Sequence, residues 1–164
     1  LASYDAAGVN IETGVNQLGV ISAYSPIGDD EHGTYTAKPE YYGMLAFSRA
    51  SQGSRVVVDA QRGDLNLSSY AVAADRQVMV TLINKDRTRA AAVNLRCRGH
   101  ISKATAMRLE APSLESSTGV TLAGASVASD GRWKAMRDES LRVGAAGAQI
   151  MVPPASAALV RLMV

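Results

Sequence analysis

The sequence predicts a mainly β protein: an antiparallel β-sandwich over residues 54–164, preceded over residues 1–53 by a strand–loop–helix unit of different character. Three observations carry this expectation. Past residue 53, short β-branched runs are separated by turn signals at the spacing of a sandwich. Several of those runs alternate apolar and polar residues one for one, the period of a half-buried strand. Ahead of residue 53, a segment opened by Pro39 carries the helical period instead.

In the first segment, Ala6 to Ile11 is a short apolar run ending at Glu12 and predicts a buried strand. A long loop follows, with Tyr24-Ser25-Pro26-Ile27 and Gly28-Asp29-Asp30-Glu31-His32-Gly33. Ordered loops of this length tend to be functional. Pro39 then opens a helix at its first position, where a missing N–H costs nothing. Glu40 lies in the first turn and Arg49 in the last, each at the favourable end of the helix dipole. Tyr41, Met44, Leu45 and Ser48 fall at i, i+3, i+4 and i+7, and Gly53 is the expected stop. With Phe47 the helix has more apolar positions than one stripe requires. The extra face is expected to pack on the sandwich, with Phe47 buried there.

In the second segment, Val56-Val57-Val58 predicts a strand, as do Tyr70 to Ala74 and Val78 to Ile83, the latter closed by the polar turn Asn84-Lys85-Asp86. Ala91, Val93, Leu95 and Cys97 alternate with Ala92, Asn94, Arg96 and Arg98, and Thr105, Met107 and Leu109 alternate with Ala106 and Arg108. Val120 and Leu122 suggest a short strand, and Asp130-Gly131 a turn ahead of Trp133. Ile150 to Val152 is stopped by Pro153-Pro154, and Ala158 to Val164 forms a last strand. There is no internal repeat.

Composition excludes several classes. The net charge is +2, from 17 Lys+Arg against 15 Asp+Glu, and the basic residues are scattered, so no nucleic-acid partner is expected. A hydrophobic content of 47% is too rich for a disordered chain. No apolar run reaches the roughly 18 residues of a membrane span. Cys97 is the single cysteine, so no internal disulfide forms. The sequence starts at Leu1 with no charged start and apolar run ahead of the globular pattern, and it is expected to begin within a longer reading frame or to have been cut.

One strand and one helix cannot bury themselves. A (β/α)8 barrel that ends strand–loop–helix and then feeds a β-domain accounts for both segments. The residues also carry a resemblance. Ala7-Gly8-Val9-Asn10-Ile11, Tyr24-Ser25-Pro26-Ile27 and the run from Lys38 to Phe47 resemble the end of the catalytic domain of glycoside hydrolase family 79, the β-glucuronidases and heparanases. Leu109-Glu110-Ala111-Pro112, the run from Gly119 to Gly124, Asp130-Gly131-Arg132-Trp133 and the run from Val152 to Val160 resemble its C-terminal β-domain. The motifs stand in family order along nearly the whole chain.

The resemblance implies the C-terminal part of a secreted or periplasmic retaining glycosidase. Such enzymes use two carboxylates, as acid/base and nucleophile. In this family both come from earlier barrel strands, so no catalytic residue is expected here. Barrel active sites lie at the C-terminal ends of strands, which turns Gly8 to Gly14 toward the sugar. The expected substrate-binding residues are Gly8, for close backbone approach, Asn10, for sugar hydroxyls, and Glu12. Glu12 stands where the family pattern leads to a histidine. A carboxylate there repels a uronate, and a neutral sugar is the alternative. The expected partners are a carbohydrate substrate and the rest of the barrel; no cofactor and no metal are expected.

Plainer readings stand beside these. Asn10 and Glu12 also suit a strand end facing water. Tyr41 and Tyr42 are read as packing residues, and Tyr24 as packing or a sugar platform. Asp29, Asp30, Glu31 and His32 are adjacent in a Gly-bounded loop and cannot all point at one ion, so a solvated loop is expected. His100 reads as a turn residue, Cys97 as inert core and Trp133 as sandwich packing, with sugar binding as its lesser alternative. Asn66-Leu67-Ser68 fits a glycosylation sequon, meaningful only in a eukaryotic secretory host. No Gly-x-Ser-x-Gly elbow is present. The alternative function is a stand-alone carbohydrate-binding or structural β-module. It is opposed by the first 52 residues, for which a free module has no use, and by an aromatic content of 5%.

Overall fold

In the computed structural model, which describes residues 10–11 and 25–164, twelve strands and one helix follow the chain. A hairpin of β1 (Ile27–Asp29) and β2 (Tyr35–Ala37) leads into helix α1 (Pro39–Ala50). The strands of the large sheet then begin with β3 (Ser54–Val56), β4 (Leu67–Ala74) and β5 (Gln77–Asn84). They continue with β6 (Ala91–Leu95), β7 (Lys103–Glu110), β8 (Thr121–Leu122), β9 (Glu139–Ser140), β10 (Arg142–Gly144), β11 (Gly147–Val152) and β12 (Ser156–Met163). All pairings are antiparallel.

The large sheet has seven strands in the order β3-β4-β5-β12-β7-β8, with β9 also paired to β7. The small sheet is β10-β11-β6. Their facing sides make the main core. Leu67, Ala71, Val80, Leu82, Ala158, Val160 and Leu162 from the large sheet meet Ala91, Ala148, Ile150 and Val152 from the small one. These positions fall an even number of residues apart along each strand, as one face requires; alternation in the sequence marked Ala91, Ala158, Val160 and Leu162, while Leu67 and Ala148 lie outside the strands expected from it. Cys97, just past β6, keeps the inward phase and packs partly buried against this core, as read from the sequence.

β12 departs from simple alternation. It pairs with β5 on one side and β7 on the other, and is covered on both faces. Ala158, Val160 and Leu162 face the small sheet, while Leu159 joins a second core on the outer side. That second core holds Tyr42, Ala46 and Ala50 of α1 with Val120, Leu122 and Leu159.

Several local expectations need correction. The strand expected at Val56-Val57-Val58 ends at Val56, whose partner is Ala71. Val57 is fully exposed because β3 is an edge strand with pairing on one side only, and local β-branching does not supply a partner. The helix also presents a different face from the one expected. Phe47 is 62% exposed and Met44 is exposed, while Tyr42, Ala46 and Ala50 are buried on the sheet. The buried residues are spaced by four, so the stripe runs one position away from the bulkier side chains. Tyr42 does pack, as the sequence suggested.

The helix ends with Ser51 at its C-cap rather than at Gly53. Gly53 serves the junction that follows. Its φ is +133°, and a Cβ there would lie 2.5 Å from the carbonyl oxygen of Ala73. Only glycine allows the chain to leave the helix and enter β3 this close to β4.

Candidate functional site

Of the three residues expected to bind substrate, Gly8 and Glu12 lie outside the described residues, as do the strand expected over residues 6–11, apart from its last two positions, and Tyr24. Asn10 is exposed and Ile11 half-buried. An exposed amide at this position is free to meet solvent or a ligand.

The loop carrying Asp29 to His32 is a tight hairpin. Asp29 Oδ1 accepts from Glu31 N at 2.9 Å, and Asp30 Oδ1 accepts from His32 N and Thr34 N, both at 2.9 Å. The Thr34 and His32 N–H groups hold the Asp30 carboxyl below its usual range. These carboxylates are turn-formers that use their oxygens on the backbone.

The best-built feature is the junction of α1 with the outer side of the large sheet. The Tyr42 hydroxyl accepts from Val127 N at 3.0 Å. Trp133 Nε1 donates to the Leu122 carbonyl at 3.2 Å, and the Arg49 guanidinium lies over the Trp133 ring, 5.1 Å from its centroid. Residues 120–137 thus clasp the helix. Their path depends on Ala123, whose φ is +51° and whose carbonyl accepts from both Met136 N and Arg137 N. The sequence marked Trp133 and Tyr42 as packing residues, but it held no signal that the Tyr42 hydroxyl is spent across this junction or that the Trp133 N–H is fixed within the clasping segment.

A cleft of about 680 Å³ opens beside the same segment, lined by Arg108, Glu110, Gly124, Arg137, Asp138 and Glu139 among others. Arg108 is held in it by a two-point pair with Glu139, Nε–Oε2 at 2.6 Å and Nη2–Oε1 at 3.0 Å, and by Nη1 donating to the Met151 carbonyl at 2.8 Å. The Glu139 carboxylate raises the Arg108 pKa further. A second hollow, of about 580 Å³, is lined by Arg96, Cys97, His100 and the turn of residues 144–147. Among the described residues, no group of three or more His, Cys, Asp or Glu side chains is placed to hold a metal ion.

Acid–base chemistry on a glycosidic bond needs one carboxyl kept protonated near neutral pH. The carboxyls whose titration this fold moves, Asp30, Asp64, Asp86 and Glu115, all move downward. Asp64 and Asp86 are held down chiefly by Arg89, and Glu115 chiefly by Arg87. These groups fasten loops. Arg89 bridges Asp86 at 2.8 Å and Asp64 at 2.8 Å, and Arg87 pairs with Glu115.

The same two-sheet arrangement occurs in solved glycoside hydrolases. A 4-O-α-L-rhamnosyl-β-D-glucuronidase from Fusarium oxysporum 12S matches with a TM-score of 0.64 and 19% identity, over 80% of this chain and 31% of its own. An arabinofuranosidase matches with a TM-score of 0.61 and 14% identity, over 87% of this chain and 32% of its own. A GH51 arabinofuranosidase from Xanthomonas axonopodis pv. citri matches with a TM-score of 0.57 and 18% identity, over 88% of this chain and 29% of its own. At these identities the likeness shows the fold: a β-domain of the kind found within larger glycoside hydrolases. The chain spans less than a third of the length of these relatives. No curated protein matches it in sequence. The family model for the glycosyl hydrolase family 79 C-terminal beta domain matches residues 69–159, more than half of the sequence. The chain belongs to that family, as its motifs had implied. No described helix is long and apolar enough to cross a membrane.

Proposed function

We propose that this chain is the C-terminal part of a secreted or periplasmic retaining glycoside hydrolase, in which residues 54–164 brace a (β/α)8 barrel whose last strand, loop and helix are residues 1–53. The observation that carries it is the position of α1. The helix precedes the family-matched segment, is clasped to it through Tyr42, Ala46 and Ala50, and turns Met44 and Phe47 outward. A helix apolar on both sides belongs between two bodies. The barrel is the body that a family 79 β-domain accompanies. Gly8, Asn10 and Glu12 would then stand at the strand end that meets a terminal sugar, and the catalytic carboxylate pair would come from the rest of the barrel.

The test is a panel of aryl glycosides, uronate and neutral, offered to the parent enzyme and to this chain alone. The parent is expected to turn over at least one of them, and the isolated chain none. In the parent, Asn10→Ala should lower kcat/KM tenfold to a hundredfold, the equivalent of about 1–3 kcal/mol of lost hydrogen bonding. Turnover by the purified chain alone would sink the proposal, and an unchanged kcat/KM would remove Asn10 from the sugar site.

A further inference from the structure

We draw no further inference here: the strongest candidate, the charged cleft between β7, β9 and the turn after β8, is a cluster of carboxylates beside two arginines for which no buried, unpartnered side chain among the described residues points to a ligand.

Discussion

Asn84 is the most consequential single side chain of the sandwich. It is 1% exposed at the end of β5, and its Nδ2 lies 2.8 Å from the Arg89 carbonyl, 3.1 Å from that of Val152 and 3.0 Å from that of Pro153. Its Oδ1 accepts from Asp86 N at 3.1 Å. One amide therefore ties the loop after β5 to the end of β11. Asn84→Ala strands several backbone groups at once and should cost about 2–4 kcal/mol, since each buried group left unpaired costs roughly 1–3 kcal/mol. Urea unfolding reads this directly, and a loss under about 0.5 kcal/mol, the scale of an ordinary surface substitution, would show that water replaces the amide. In the sequence Asn84 looked like a turn residue, because an asparagine before Lys85 and Asp86 reads as solvated. Nothing local announces that its partners arrive almost seventy residues later. The next residues make a pH prediction. Asp86 is held down to about 2, first by the Arg89 side chain and then by the N–H groups of Arg89 and Thr88. A folded pKa below the unfolded value near 3.8 stabilises above that value, and the contribution is lost as pH falls toward 2. Asp64 and Glu115 shift in the same direction. The thermal midpoint should therefore drop between about pH 4 and pH 2, and Arg89→Ala should flatten part of that drop by removing the shared partner. An Arg89→Ala curve parallel to the wild type across this window would refute the assignment.

Helix α1 was legible in position and polarity but not in orientation. Pro39, Glu40 and Arg49 announced its start, its first turn and its last, and it runs from Pro39 to Ala50. Its inward face escaped notice because two of the three buried residues are alanines, which carry little weight in a count of large apolar side chains. Burial of Ala46 and Ala50 lets the helix approach the sheet closely, and the bulkier Met44 and Phe47 are left outside. Two substitutions separate the faces. Tyr42→Phe removes only the bond from Val127 N and should cost the isolated chain about 1 kcal/mol. Phe47→Ala, on the outer face, should change the isolated chain by less than about 0.5 kcal/mol. In the parent enzyme Phe47→Ala should instead cost about 3–5 kcal/mol if the barrel buries that ring. Equal effects in the two contexts would mean that the outer face meets no partner. Trp133 offers a convenient signal. As the single tryptophan, lying under Arg49 and bonded to Leu122, it reports clasp integrity by fluorescence. Strands β1, β2, β9 and β10 were missed for a related reason. They are two or three residues long, and segments that short show no period.

The sandwich as a class was legible because alternation along β6 reflects a physical fact, one face more buried than the other; β7, with Ala104 and Ala106 in the main core and Met107 and Leu109 against the second, is covered on both faces. The order of strands was not, since alternation is blind to which strand lies beside which. This order has a consequence in time. β12, the last strand along the chain, lies in the middle of the large sheet between β5 and β7. Until residues 156–163 have left the ribosome, the large sheet lacks its central strand, and β5 and β7 each present an open edge. Such edges invite pairing with other chains. This order predicts a late closing step that joins segments far apart in sequence, a feature of slow-folding β proteins. A chain ending at Pro154 should show no cooperative unfolding transition and should collect in aggregates, whereas losing only Val164, which caps the sheet through one bond to the Arg76 carbonyl, should leave the transition intact.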